Sequence, residues 1–370
     1  MRKNIRRCSV VVLAVAAALV TPLPAQAVED HAATQALLDR YLTHAGPGAA
    51  VYAGDGTGSW TVHSGTASTR QNRPITPQDH FRVASQTKTF TAVVVLQLVD
   101  EGLVDLDAPI ERYLPGVVAG NGHDGNAITV RQLLQHTSGL PRDPVNPRAE
   151  ADGTYTLAEL VRSGLTQPPQ FPPGTGFGYS NVNYQVLGML VERLTGGTAA
   201  AAITTRIIEP LGLTETRFPA PGERSLAAPY LPGYVGGRLG PLFFWLDRTT
   251  SLELSLISTA GAMESTMTDL VRFERALADG DLVSDASLVQ MRALVPESPD
   301  YGLGLMQLDL SCGGEAWGHA GDLTTGHSSF TVVTDDGRYA ALVTNTIVTS
   351  AAEPTRDAVL DSALCEGASA

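Results

Sequence analysis

The segment Phe81-Arg82-Val83-Ala84-Ser85-Gln86-Thr87-Lys88-Thr89-Phe90 sets a serine and a lysine three residues apart where an apolar helical series begins. That series runs from Thr87 to Val99 and stops at Gly102, the pattern expected of a helix. At this spacing both side chains lie on one helix face. A serine hydroxyl is a poor nucleophile until a neighbour accepts its proton, and a lysine shielded from water gives up its own proton more readily. The helix N-terminus adds backbone N–H groups where negative charge develops on an attacked carbonyl oxygen. Alone, Ser-x-x-Lys is weak, because an exposed capping serine beside a solvated lysine has the same spacing.

Support comes from two distant segments. Phe171-Pro172-Pro173-Gly174-Thr175-Gly176-Phe177-Gly178-Tyr179-Ser180-Asn181 leads into a helical series from Tyr184 to Leu194, stopped by Gly196-Gly197. A tyrosine on a glycine-rich loop can exchange protons, and Asn181 can accept from an ammonium while donating to a substrate carbonyl. The bland alternative is a buried tyrosine with a helix-capping asparagine. In Trp317-Gly318-His319-Ala320-Gly321-Asp322, small residues beside a histidine let a strand edge approach a substrate backbone. A lone histidine is more often structural, so His319 too needs the company of the other segments.

Around these segments the chain falls into three parts. Gly48 to Ala53 and Ser59 to Ser64 flank Gly54-Asp55-Gly56, and Ser329 to Thr334 and Tyr339 to Thr344 flank Asp335-Asp336-Gly337-Arg338, so each end predicts a β-hairpin. The middle carries helical signals, including Val130 to Gln135. The expected fold is α/β of the α+β kind: one antiparallel sheet from both termini flanked by helices, with an inserted helical lobe. Pro168-Pro169, Pro172-Pro173 and the stretch from Pro229 to Pro241 read as loops of that lobe.

Residues 1–27 have the layout of a secretory signal peptide: Arg2, Lys3, Arg6 and Arg7, an apolar run from Val10 to Val20, and Ala25-Gln26-Ala27. The run is shorter than the roughly 20 residues of a membrane span. An uncleaved anchor is the alternative, and Arg6-Arg7 leaves the export route open. The expectation is a secreted hydrolase domain over residues 28–370, monomeric and without a membrane span. Losing four basic and no acidic residues shifts the net charge from −13 to −17, which disfavours nucleic acid as a partner. Cys312 and Cys365 remain as an even pair in an oxidising compartment; a disulfide is the simplest reading, with two buried thiols the alternative.

No Gly-x-Ser-x-Gly elbow, His-Glu-x-x-His or cysteine-rich cluster occurs, so neither an α/β-hydrolase nor a metal site is indicated, and no cofactor is implied.

Together, Ser85-x-x-Lys88, Tyr179-Ser180-Asn181 and His319-Ala320-Gly321 resemble the motifs of the serine D-Ala-D-Ala carboxypeptidase and class C β-lactamase superfamily of penicillin-recognising serine hydrolases. Their order and separations match, as do the flanks Leu133-Leu134-Gln135-His136-Thr137-Ser138-Gly139-Leu140 and Gly261-Ala262-Met263-Glu264-Ser265-Thr266. The resemblance implies a β-lactamase/transpeptidase-like fold. It makes Ser85 the nucleophile, Lys88 and Tyr179 the acid/base pair, His319 a support, and Asn181 a ligand of the substrate amide. The backbone N–H groups of Ser85 and Asp322 would form an oxyanion hole at Gly321-Asp322.

The implied activity is D-Ala-D-Ala carboxypeptidase-like, on a small peptide, ester or β-lactam; esterase, amidase, β-lactamase and non-turnover binding are the alternatives. One departure stands out. The arginine with which such carboxypeptidases hold the terminal carboxylate corresponds to Met306, and its polar helpers to Ala320 and Asp322. The expected pocket therefore lacks a cation unless a loop arginine such as Arg248 reaches it, and weak carboxypeptidase activity follows.

Overall fold

The computed structural model describes residues 31–239, 242–347 and 353–366. The expected signal peptide, with Cys8, lies outside them. Helix α1 (Ala32–Ala45) leads into strands β1 (Gly48–Gly54) and β2 (Ser59–Gly65). The middle of the chain supplies helices α2 (Thr87–Asp100), α3 (Asn181–Thr195) and α4 (Met267–Ala278). Strands β3 (Met306–Asp309), β4 (Glu315–Asp322), β5 (Ser328–Thr334) and β6 (Tyr339–Thr344) follow, and helix α5 (Arg356–Cys365) comes last.

The six strands form one antiparallel sheet in the order β2-β1-β6-β5-β4-β3, so the two ends of the chain meet where β1 pairs with β6. Alternation along the strands separates two apolar layers. Val51, Val332 and Leu342 face Leu38 and Tyr41 of α1 and Leu360 and Leu364 of α5. Trp317, Val333 and Val343 face the opposite layer, where α2, α3 and α4 share one core. Helix α2 is buried on nearly every side from Thr87 to Leu98, as its almost unbroken apolar sequence requires, and Phe90 stacks on Phe273 of α4 with ring centroids 3.7 Å apart.

Two local outcomes depart from the expectations. Helix α3 begins at Asn181 rather than Tyr184, because the Ser180 hydroxyl caps it by accepting from the Asn183 N–H. The stretch read as loop contains a hairpin, Tyr234–Leu239 paired with Leu242–Asp247. The aromatic and apolar run Leu242-Phe243-Phe244-Trp245-Leu246 supplies the second strand. As expected, Cys312 and Cys365 are joined in a disulfide, tying α5 to the turn between β3 and β4. No single helix among the described residues is long and apolar enough to cross a membrane.

Candidate active site

Ser85 is placed by the turn that precedes α2. Phe81–Arg82 pairs with Glu264–Ser265, and the Arg82 guanidinium meets the buried Glu264 carboxylate at 2.8 Å, which Arg217 also contacts at 2.5 Å. The chain then turns sharply: Ala84 adopts φ 52°, a left-handed conformation costing about 1 kcal/mol for a residue with a Cβ. This turn sets Ser85 at the mouth of α2 with its hydroxyl partly exposed.

One turn on, Lys88 is 0% exposed. Its Nζ lies 3.1 Å from Ser85 Oγ, 2.8 Å from Asn181 Oδ1 and 2.8 Å from the Ala260 carbonyl. Burial pushes its pKa well below that of a free lysine; the Asp143 carboxylate opposes the shift and Arg142 adds to it. In the neutral amine, two N–H groups go to the two carbonyl oxygens and the lone pair is left for the Ser85 proton.

Tyr179 hydrogen-bonds Ser85, and its ring centroid is 4.7 Å from Lys88 Nζ. Burial raises its pKa, so the phenol keeps its proton and can donate it. His136 sets the ring in place. Its centroid is 4.3 Å from that of Tyr179, and its Nδ1 accepts from the N–H of Ser180 at 3.1 Å. That bond puts the imidazole proton on Nε2, which is buried with no hydrogen-bond partner among the described residues. His136 itself has φ 64°.

The edge of the cleft comes from β4. Strand β3 pairs with β4 only from Glu315 to Gly318, leaving His319 to Asp322 without a strand on that side among the described residues. A Cβ built on Gly321 would sit 2.1 Å from the Val83 carbonyl oxygen, so only glycine lets this edge reach the Ser85 turn.

Of the other expected residues, His319 lies beside Tyr179 in a tilted ring contact, their centroids 6.4 Å apart. It is 1% exposed, its Nδ1–H donates to the Ala320 carbonyl at 2.5 Å, and its Nε2 accepts from the Tyr301 hydroxyl at 2.9 Å. Met306 packs against the apolar layer that includes Ala320 and Leu310, on the α1/α5 face of the sheet. Asp322 is no unpaired anion: its carboxylate accepts from Ser328 at 2.5 Å and lies 3.5 Å from Arg356. Arg248 is exposed, with its backbone N–H bonded to Gly233.

Four contributors were missed in the sequence: His136, Asp143, the Ala260 carbonyl and Tyr301. His136 sits within a stretch read only as a flank. Asp143 accepts from Asn181 Nδ2 at 2.5 Å. Among the described residues no group of histidine, cysteine or carboxylate side chains is arranged to hold a metal ion.

Comparison with known proteins agrees with this geometry. The Beta-lactamase family profile matches residues 25–364. Penicillin-binding protein 4 of Amycolatopsis lactamdurans is 31% identical over 340 residues, 85% of each chain. Protein flp of Staphylococcus aureus (strain N315) is 30% identical, but the match spans only 30% of its length and 40% of this chain. Among solved structures, a D-stereospecific amidohydrolase from Streptomyces sp. is 41% identical with a TM-score of 0.74, covering 85% of this chain and 94% of that one. The D-amino acid amidase of Ochrobactrum anthropi SV3 in complex with D-phenylalanine is 28% identical with a TM-score of 0.76, covering 90% and 98%.

Proposed function

Since the chain belongs to the β-lactamase family of serine hydrolases, we propose that it cleaves amide or ester bonds on the carbonyl side of D-amino-acid residues through an acyl-enzyme on Ser85. The observation that carries the chemistry is the buried Lys88 amine, held 3.1 Å from Ser85 Oγ by two carbonyl acceptors. The choice of D-residues rests on the likeness to the Streptomyces and Ochrobactrum enzymes.

Lys88 accepts the Ser85 proton as Oγ bonds to the substrate carbonyl carbon. The backbone N–H groups of Ser85 and Asp322 receive the oxyanion that forms. As the tetrahedral intermediate collapses, the carbon–nitrogen or carbon–oxygen bond breaks. Tyr179, being protonated, donates its proton to the leaving group and regains one from Lys88. Water then attacks the ester along the reverse proton path, releasing the acid and restoring Ser85. One proton departs with the leaving group and water supplies its replacement, so Ser85, Lys88 and Tyr179 each end the cycle in the protonation state they began with.

A D-Ala-D-Ala carboxypeptidase would need a cation for a free terminal carboxylate. Arg142 and Arg356, the arginines beside the catalytic group and beside β4, each lie 3.5 Å from a carboxylate of the protein, Asp143 and Asp322. Support for the amide and ester reading over the carboxypeptidase one comes from the likeness to the Streptomyces and Ochrobactrum enzymes. Export as a monomer, resting on the signal-like N-terminus, belongs to the same proposal; size-exclusion chromatography with light scattering on secreted protein checks both.

The test uses D- and L-phenylalanine amides with the mature protein. A D-over-L preference above about 100-fold in kcat/KM is expected, with a mass increase on Ser85 during turnover and neither signal in Ser85→Ala. Equal rates on the two enantiomers, or turnover by Ser85→Ala, defeat the proposal.

A further inference from the structure

Asn181 is the residue expected to hold a substrate amide, yet both ends of its side chain are engaged. Its Oδ1 accepts from Lys88 at 2.8 Å, and its Nδ2 donates to Asp143 Oδ1 at 2.5 Å. A substrate whose α-nitrogen is acylated presents a carbonyl oxygen, which needs a donor. The partly exposed group beside Asn181 is instead a carboxylate, which only accepts. Asp143 is joined to the nucleophile through Asn181 and Lys88, in contacts of 2.5, 2.8 and 3.1 Å, and its charge favours the protonated form of Lys88.

The Asp143 side chain is 53% exposed, and the one cation paired with it among the described residues is the adjacent Arg142, whose Nε is 3.5 Å from Oδ2. Arg142 is itself 71% exposed, and such a loose surface pair is worth under about 1 kcal/mol, so it yields to a better-placed cation. A carboxylate accepts roughly four hydrogen bonds; Asn181 takes one of them. An ammonium two bonds from the attacked carbonyl carbon would complete the set, and a charge-assisted contact of this kind is about twice as strong as a neutral one.

We propose that Asp143 makes this site select substrates with a free α-ammonium on the acyl-donating residue, that is, D-amino-acid amides and esters and the N-terminal residue of D-peptides, over N-acylated ones. The proposal rests on the acyl-enzyme reading above and adds the substrate class. It also accounts for the missing carboxylate arginine, since the charge recognised is on the amine side of the scissile bond.

The experiment compares kcat/KM for D-phenylalanine p-nitroanilide and its N-acetyl derivative in wild type, Asp143→Asn, Asp143→Glu and Asp143→Ala, with Ser85 acylation followed by mass spectrometry. Wild type is expected to favour the free amine by about 100-fold or more. Asp143→Asn and Asp143→Ala lower that ratio at least tenfold, mainly through KM, and Asp143→Glu restores part of it. Preference of wild type for the N-acetyl substrate, or for an N-acyl peptide with a free C-terminal carboxylate, overturns the proposal. So does an equal loss on both substrates in Asp143→Asn, which marks a merely structural role. Absence of any Ser85 acylation in wild type instead defeats the acyl-enzyme reading, so the two failures are distinct.

Discussion

The Tyr301 hydroxyl donates to Nε2 of His319 at 2.9 Å, and this one bond fixes the imidazole as an acceptor on the side toward the aromatic cluster. With Nδ1–H given to the Ala320 carbonyl, both nitrogens are spent, and burial lowers the His319 pKa to about 3. The histidine thus holds β4 beside the catalytic group as a neutral spacer. Tyr301→Phe leaves Nε2 buried without a donor, which costs about 1–3 kcal/mol. Urea unfolding measures the loss, and the acid limb of the pH–rate profile should keep its position. A shift of that limb by a unit or more would return His319 to the proton path.

That acid limb is assigned to Lys88. The base form is the neutral amine, so kcat/KM rises with pH through the depressed Lys88 pKa and levels off once the amine is free. Lys88→Arg keeps a cation that does not deprotonate and should lower kcat by at least about a thousandfold across pH 6–9. Stopped-flow acylation with an activated ester reads this directly; a variant within tenfold of wild type would place the base elsewhere.

Three histidines make the fold sensitive to acid. His136, His319 and His327 are fully buried, and desolvation holds all three below the ordinary histidine value, His327 at about 4 and His319 at about 3. The unfolded chain takes up these protons near pH 6.5, the native one only at lower pH. Unfolded protein therefore binds more protons across that window, and stability falls as pH drops below about 6.5, by about 1.4 kcal/mol per unit for each group. Urea midpoints at pH 7.5 and pH 5 should differ strongly, and His327→Gln should flatten the slope by about one proton. Midpoints independent of pH over this range would contradict the buried neutral assignment.

The disulfide closes a loop of 53 residues that contains β4, β5 and β6. In the chain-entropy picture, its removal costs about 4 kcal/mol. The double variant Cys312→Ser/Cys365→Ser should melt well below wild type while retaining most of its kcat at 25 °C, because neither sulfur touches the catalytic group. Unchanged melting would show that the unfolded chain is already compact at this place.

Much of this arrangement could be read from residue order. Ser85 and Lys88 share a helix face by spacing alone, Tyr179 and Asn181 straddle a helix cap, and four of the six sheet strands carry clear turn signals. Strand parity puts Met306, Ala320 and Asp322 on one face of the sheet, opposite His319 and Gly321. His319 and Gly321 alternate with Ala320 and Asp322, so residues adjacent in sequence belong to opposite faces, and the register Gly318↔Met306 sends Met306 to the α1/α5 side. The Ala260 carbonyl had no legible signal, because a backbone oxygen is the same whatever side chain it carries. Asp143 and His136 are brought to the site by chain turns rather than by periodicity, and no local pattern distinguishes them from solvated loop residues.

The closeness of Gly321 to the Val83 carbonyl bears on how such an enzyme can change. Main chain touches main chain there, and a Cβ would overlap at 2.1 Å. The approach of β4 to the turn that carries Ser85 is thus set by backbone rather than by any side chain that could drift. Loops carrying residues such as Asp143 are free to vary around it, so substrate preference can diverge between descendants of one ancestor while the reaction itself is inherited unaltered.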